Sequence, residues 1–306
     1  MIWEGAYAKI KCERINDMES SFVSNVLKYK MLAIDMDGTL LDSNDDITEA
    51  NLHAVKDALN QGIKVVIATG RIFAAVRHYA NILGLQTYVI SSNGAVVSDA
   101  TGSNIIYTKP MDVTAAARCI EVAKKYDIYY HLYSNDVLYT EQLAYSSWGY
   151  AKLNEKLPLE ERIAIRHVDD GVDFVLRSGC DIVKLVMIDD DLDKLAKARS
   201  EAMSIPSLAI SASMPNNFEV MAEGVSKGKA LQMLAQHYNI AMEETAAIGD
   251  SENDLSMLEC VGLPIAMDNA IDAVKELAKY IVPSNNQDGV AYALSHYIMN
   301  EVCPPL

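Results

Sequence analysis

Positive charge is what this 306-residue chain is short of: 26 Lys and Arg stand against 42 Asp and Glu, a formal charge of −16. Nucleic-acid binding draws its affinity from cations that neutralise phosphates, so a partner of that kind is excluded on charge. A field of this sign also repels anionic small molecules, and any that bind must be held by local groups. Cysteines are few and odd in number, at positions 12, 119, 180, 260 and 303, with no C-x-x-C pair. That excludes a zinc-ribbon or thioredoxin-like pattern and fits a reducing cytoplasm. None of the six histidines pairs with a cysteine or another histidine at metal-ligand spacing, so no soft metal site is expected. No run approaches the ~20 apolar residues of a membrane span, and charges interrupt the first 30 residues too often for a signal-peptide core. The expectation is a cytoplasmic protein with no nucleic-acid or membrane partner, of unknown oligomeric state.

What is present is core-forming material. Half of the residues are apolar, which excludes wholesale disorder, and the length accommodates two domains. Apolar runs of strand length at Met31 to Ile34, Val65 to Ala68, Tyr88 to Ile90 and Ala246 to Ile248 each end in small or polar residues and give way to helical periodicity. Such alternation predicts an α/β fold with a parallel sheet and helices on both faces. Leu52, Val55 and Leu59 form one helical stripe with Thr48 as N-cap and Gly62 at its end; Leu231, Leu234, Ala235 and Tyr238 form another, capped by Ser226. Between Pro110 and about Met221 the pattern changes. Ala115 to Tyr126 and Leu192 to Met203 read as helices, while Ile128 to Tyr133, Ile182 to Ile188, Leu208 to Ile210 and Phe218 to Met221 read as strands. This is the signature of a second, α+β domain inserted into the first. The first 28 residues show no strand pattern, and are expected to be a peripheral helix, a disordered arm or an artefact of the assigned start.

Chemistry concentrates at the strand ends. Asp35 and Asp37 are two apart, so both carboxylates share a face, and Gly38 lets the backbone turn beside a ligand. Alone, D-x-D-G is as well explained by a turn or a cap. Gly249-Asp-Ser-Glu-Asn-Asp254 follows another apolar strand, and in isolation reads as an acidic loop capping a helix. Two such clusters at the carboxyl ends of one sheet change that reading: Asp35, Asp37 and Asp250 are placed to ligate a hard divalent ion through oxygen, and Mg²⁺ is expected. Lys227, in Gly224-Val-Ser-Lys-Gly, opposes the macrodipole in the first turn of a helix. It either bends into water or joins the helix terminus in holding an anion, and the acidic clusters favour the second. Lys229 is expected to be solvated. Thr69-Gly70-Arg71 offers a hydroxyl and backbone N–H groups as a phosphate cradle, and Ser92-Asn93-Gly94 makes a similar turn; Arg71 either pairs with an acidic neighbour or touches substrate. The tyrosines at 126, 129, 130, 133 and 139 are most simply packing residues, and nothing local assigns His131 or Asp136 to a ligand.

Taken together, Asp35-Met-Asp-Gly-Thr-Leu-Leu41, Ala68-Thr-Gly-Arg71, Ser92-Asn-Gly-Ala95, Gly224-Val-Ser-Lys-Gly228 and Gly249-Asp-Ser-Glu-Asn-Asp254 give the chain a likeness. Over about residues 29 to 300 it resembles the haloacid dehalogenase superfamily of phosphatases, most of all the Cof-type branch with a large inserted cap. Met267-Asp-Asn-Ala270 and Asn285-Asn-Gln-Asp-Gly-Val290 also look like that branch. The resemblance implies a Rossmann-like catalytic core of residues 29–110 and 222–306 and an inserted α+β cap of residues 111–221, with 1–28 an extension outside the family pattern. It implies Asp35 as the nucleophile that takes the phosphoryl group and Asp37 as general acid, then base. Thr69, with Gly70 and Asn93, would bind the phosphate, and Lys227 would offset its charge. Mg²⁺ would be held by Asp35, the backbone carbonyl of Asp37, and Asp250, with Asn253 and Asp254 supporting the substrate side or the ion's surroundings. An acid and a nucleophile so close must differ in proton affinity, so Asp37 is expected to titrate above metal-bound Asp35. The implied activity is Mg²⁺-dependent hydrolysis of a small phosphorylated metabolite, such as a sugar phosphate. The alternatives are a phosphomutase or phosphotransferase using the same aspartyl phosphate, or a metabolite-binding regulator with little turnover.

Overall fold

The computed structural model describes residues 27–300. The expectations for the N-terminal extension, and Cys12 and Cys303, fall almost wholly or entirely outside that range.

The strand Met31–Ile34 is buried at every residue, which only a strand covered on both faces can be. It lies in a five-stranded parallel sheet, ordered Tyr280–Val282, Leu263–Met267, Thr245–Gly249, Met31–Ile34, Lys64–Ile67. Ile34 is level with Ile248 on one side and Ile67 on the other. The chain therefore leaves Met31–Ile34 toward one neighbour and returns much later on the other side, which makes its carboxyl end the switch point where ligands collect in such sheets.

Helices form where their caps and stripes predicted them. Glu49–Asn60 starts at Thr48, whose hydroxyl accepts from Asn51 N, and Lys227–Tyr238 starts at Ser226, which accepts from Lys229 N. The second stops at Asn239, which adopts the left-handed conformation that ends helices.

The strand Tyr88–Ser91 departs from expectation. A single parallel bridge, Ala68 to Ile90, ties it to the parallel sheet, and its main pairing is antiparallel, with Val96–Asp99 and then Ile105–Thr108. The turn Ser92–Gly94, in which Asn93 takes φ 57°, sends the chain straight back on itself, so no helix follows.

A separate six-stranded sheet comes entirely from residues 129–222. Its order is Leu208–Ser211, Asn217–Ala222, Lys184–Ile188, Tyr129–Ser134, Val137–Thr140, Ala164–His167, and only the last pair is parallel. The strands Val137–Thr140 and Ala164–His167 and the helix Tyr145–Lys156 lie in stretches that the sequence left unread. On one face Tyr130, Leu132, Leu185, Met187 and Phe218 pack with the helices Val113–Lys125 and Leu192–Ala202. On the other, Tyr129, Tyr133, Val186, Ile188 and Met221 cluster with Tyr150 and with Ile72, Ala75 and Ala95 from the parallel-sheet region. The alternation along Tyr129–Ser134 thus reports a strand buried on both sides. Arg199 forms an ion pair with Glu252, and Asn253 N donates to Ala212 O at 3.1 Å, so the two sheets are docked where their loops meet.

Candidate active site

Asp35 begins where the apolar strand ends, and its backbone N–H still donates to Ile248 O at 3.1 Å. That bond sets the carboxylate beside the loop after Gly249. Asp35, Asp250 and Asp254 each bring a carboxylate oxygen within 4.8 Å of the others, all three buried. Gly38, at φ +77°, makes this approach possible: a Cβ there would lie 2.5 Å from Asp250 Oδ2. Thr39 Oγ1 donates to Asp250 Oδ1 at 2.8 Å, and Ser251 Oγ to Asp250 Oδ2 at 2.9 Å.

Lys227 resolves its conflict with the helix dipole by burial against acid. Its Nζ lies 2.6 Å from Asp35 Oδ1 and 2.6 Å from Asp254 Oδ1, and the side chain has no solvent exposure. Asp254 spends its other oxygen on the backbone N–H groups of Asp250 and Ser251, at 2.9 and 3.0 Å. Both of its oxygens are therefore committed, whereas Asp35 has one facing the other carboxylates. Lys229, two residues on, is exposed.

The carboxylate of Asp37 stands apart from this trio. Arg71 grips it, with Nε 3.1 and 3.0 Å from its two oxygens and Nη2 2.5 Å from Oδ1, and reaches Asp45 at 2.7 Å. The clustered carboxylates are thus Asp35, Asp250 and Asp254, while the guanidinium fork of Arg71 holds the Asp37 carboxylate, which leaves Asp37 its backbone carbonyl as the group the resemblance implies for a metal. Arg71 therefore pairs with acid here, and it also lines the cavity.

The proton affinities of these groups without a metal follow burial and the neighbouring charges. Burial raises Asp35 well above the usual carboxylate range, Asp254 adds to this, and Lys227 only partly offsets it. Desolvation pushes Asp37 upward too, but the charge and hydrogen bonds of Arg71 outweigh it and leave Asp37 lowered. Asp250 is pushed up to about 6 by burial and by Asp254. Burial opposes the charge on Lys227, yet Asp254 and Asp35 hold its pKa above the ordinary lysine value. These are the affinities of carboxylates crowded without a counter-ion. A divalent cation at Asp35 and Asp250 would reverse their direction.

The remaining sequence candidates surround this centre. Thr69 is buried; its Oγ1 accepts from Arg71 N at 3.1 Å and its carbonyl from Asn93 N at 3.0 Å. Gly70 sits in the same turn, and its carbonyl accepts from Lys184 Nζ at 2.6 Å. Asn253 Nδ2 donates to Asn93 Oδ1 at 3.1 Å, so these two expected substrate contacts bind each other. Asp136 pairs with Arg77 at 3.0 Å, and His131 is enclosed between the rings of Tyr129 and Tyr133; neither lines the cavity. Sequence reasoning missed Thr39, Lys184 and Glu219. The last two had a signal, a single charge inside an apolar strand.

A cavity of about 430 Å³ opens beside Asp35 and Asp37. Gly70, Arg71 and Asn253 form its floor. Its far wall is Tyr133, Tyr145, Tyr150, Leu153, Val186, Ile188 and Met214, all from the six-stranded-sheet region, with Glu219 at the junction. The arrangement joins a polar, charged end to an apolar, aromatic one, the profile of a small-molecule site.

The family model for haloacid dehalogenase-like hydrolases matches residues 32–294. This chain belongs to that family of enzymes. It is 31% identical to the phosphatase YwpJ of Bacillus subtilis (strain 168), over 88% of this chain and all of that one. It is 33% identical to the 5-amino-6-(5-phospho-D-ribitylamino)uracil phosphatase YwtE of the same organism, over 89% of this chain and 99% of the relative. The solved structure of a haloacid dehalogenase-like hydrolase from B. subtilis superposes with a TM-score of 0.77 at 29% identity, covering 88% of this chain and 100% of that one. Its fold is the α/β fold of those hydrolases. Among the described residues no helix is long and apolar enough to cross a membrane.

Proposed function

We propose that this chain is a Mg²⁺-dependent phosphatase that hydrolyses small phosphomonoesters through an aspartyl phosphate on Asp35, in the cytoplasm. The observation that carries this is the meeting of Asp35, Asp250, Asp254 and Lys227 at one sheet end beside a cavity of substrate size. Five carboxylates there, counting Asp37 and Asp45, face the two cations Lys227 and Arg71, an excess of negative charge that suits a divalent ion. Asp35 and Asp250 offer carboxylate oxygens, the donors that suit a hard cation. Asp254 serves better as the group that fixes Lys227 and the 250–251 backbone, and the carbonyl of Asp37 remains the third ligand that the family resemblance implies. Bound Mg²⁺ supplies charge neutralisation, so that an anionic carboxylate can approach an anionic phosphate.

The protein's own groups then divide the work. Asp35 forms a bond to phosphorus as the bond to the leaving oxygen breaks, and Asp37 gives that oxygen a proton. Asp37 next takes a proton from water, whose oxygen attacks the phosphoryl group and returns Asp35 to its carboxylate form. Held by Arg71, Asp37 is poised as a base; when the substrate phosphate draws Arg71 to itself, Asp37 takes from solvent the proton that it then gives to the leaving oxygen. Lys227 and the Thr69–Arg71 turn hold the phosphoryl oxygens in place, and orientation and charge supply most of the rate.

The residues 111–221, read as a cap, bring the wall that meets the leaving group. A sugar phosphate fits the cavity by size. The three tyrosines and four aliphatic or thioether side chains of that wall favour a second reading, a leaving group bearing a flat ring, as in the phosphorylated uracil named for YwtE. Phosphate release from a panel of phosphomonoesters with Mg²⁺ tests both. Release equal to substrate consumed is expected; consumption without free phosphate would make the chain a phosphotransferase or mutase, and neither would make it a binding protein.

A further inference from the structure

Lys184 opens the otherwise apolar strand Lys184–Ile188 and is 1% exposed, and Glu219, on the adjacent strand, is 4% exposed. They form an ion pair, with the Lys184 ammonium 5.4 Å from the centre of the Tyr133 ring. Buried pairs of this kind contribute little to stability over an apolar replacement of similar volume. Ser213 Oγ donates to Glu219 Oε1 at 3.3 Å from the pair's own side, and the other two hydrogen bonds cross to the parallel-sheet region. Lys184 Nζ donates to the Gly70 carbonyl at 2.6 Å, and Glu219 Oε2 accepts from Asn93 Nδ2 at 2.6 Å.

The first bond has a consequence at the phosphate turn. The Gly70–Arg71 peptide is trans and planar, so its C=O and N–H point to opposite sides. Drawing the carbonyl to Lys184 turns the Arg71 N–H the other way, where it donates to Thr69 Oγ1 at 3.1 Å. The second bond fixes Asn93, whose Oδ1 then receives Asn253 Nδ2. A Cβ on Gly70 would lie 2.9 Å from Asn93 Oδ1, 3.1 Å from Lys184 Nζ and 3.3 Å from Glu219 Oε1, so the turn is packed directly against these groups.

We propose that Lys184 and Glu219 are positioning residues for phosphoryl transfer. From the six-stranded sheet they lock the Thr69–Arg71 turn and Asn93 into their phosphate-binding arrangement, so the cradle is complete only when the two sheets are docked. This rests on the phosphatase reading above. A pair that touched the leaving group instead would set specificity, and a purely structural pair would set stability.

The test uses the full chain with Mg²⁺ and two esters, an aryl phosphate and an alkyl phosphate. Lys184→Met alone strands a buried carboxylate and risks misfolding, so Glu219→Gln and the double variant Lys184→Met/Glu219→Met are the informative proteins. The double variant is expected to keep the wild-type melting temperature or exceed it, and Glu219→Gln, which leaves the buried Lys184 ammonium without its carboxylate, to melt lower while still folding at the assay temperature. Each should lose about 10- to 100-fold in kcat, equally for both esters, because misplacement of the phosphoryl group is indifferent to what leaves. Binding of inorganic phosphate, measured calorimetrically, should weaken about 10-fold. Wild-type kcat and phosphate affinity in the folded double variant would overturn the proposal, as would a loss confined to one ester. A wild-type protein that releases no phosphate from any ester would defeat the phosphatase reading; the calorimetric comparison would still decide whether the pair shapes the phosphate site.

Discussion

The two sheets handle charge in opposite ways. In the parallel sheet the central strands Met31–Ile34 and Thr245–Gly249 carry no charge within them, and every chemical group lies just past their carboxyl ends. In the six-stranded sheet Lys184, Glu219 and His131 sit inside strands and are buried there. The physical reason is coverage. A parallel strand with helices on both faces has no direction in which a polar side chain can find a partner, so polar groups are expelled to its end. One face of the six-stranded sheet looks across at the other sheet's loops, and a side chain standing perpendicular to it reaches them from within the sheet. Groups past the carboxyl ends of the parallel strands thus assemble chemistry, and groups within the six-stranded sheet reach across to adjust it.

The sharpest way to break that division is to remove the nucleophile. Asp35→Asn should lower phosphate release from an aryl phosphate by roughly 10⁴-fold or more, with the melting temperature retained. Activity within tenfold of wild type would place the reaction elsewhere. Asp37→Asn should cost roughly 10²–10⁴-fold, and more for an alkyl than for an aryl phosphate, since the poorer leaving group depends on the proton. Equal losses on the two esters would remove Asp37 from the acid role.

This division also explains what could be read in advance. Asp35, Thr69, Asn93, Lys227 and Asp250 each follow an apolar run or open a helix, so the run announces the group. The helices at Glu49 and Lys227 were legible through Thr48 and Ser226, whose hydroxyls accept from the first-turn N–H groups. Lys184 and Glu219 were not, because one charge in an apolar strand carries no spacing, and its partner lies 35 positions away. The preference of Asp37 for Arg71 over the other carboxylates was invisible for a related reason: D-x-D puts both side chains on one side of the strand but does not say which partner reaches each first. The helix Tyr145–Lys156 escaped because its wet and dry faces are weakly distinguished, with Tyr145, Gly149, Tyr150 and Leu153 turned to the cavity and little opposing them.

That helix offers the next test, aimed at the far wall alone. Gly149 borders the cavity, and a Cβ there meets nothing within 4 Å. Gly149→Leu should therefore fold, since it also replaces the poorest ordinary helix former. Its side chain should raise KM for a bulky ring-bearing phosphate by about tenfold while leaving a small alkyl phosphate nearly unchanged. Equal effects on both would mean that the leaving group does not extend to this wall.

The smallest expected effect concerns pH and separates the sheets without mutation. Asp250 is pushed up to about 6 from an ordinary value of 3.8, mainly by burial and then by Asp254. The folded protein therefore holds this proton more tightly than the unfolded chain, so the group's contribution to metal-free stability falls as pH rises from about 4 through 6. Mg²⁺ binds the carboxylate and must displace the proton, so its stabilisation should be small at about pH 5 and level off above about pH 7. A few degrees of added melting temperature are expected at the higher pH with the ion at about 100 times its Kd. In the other sheet burial drives His131 down to about 3, with Lys184 adding to the shift, so its ring stays neutral throughout this range. A Mg²⁺ stabilisation that did not change between about pH 5 and 7.5 would mean that Asp250 gives up no proton to the ion, and would remove it from the metal site.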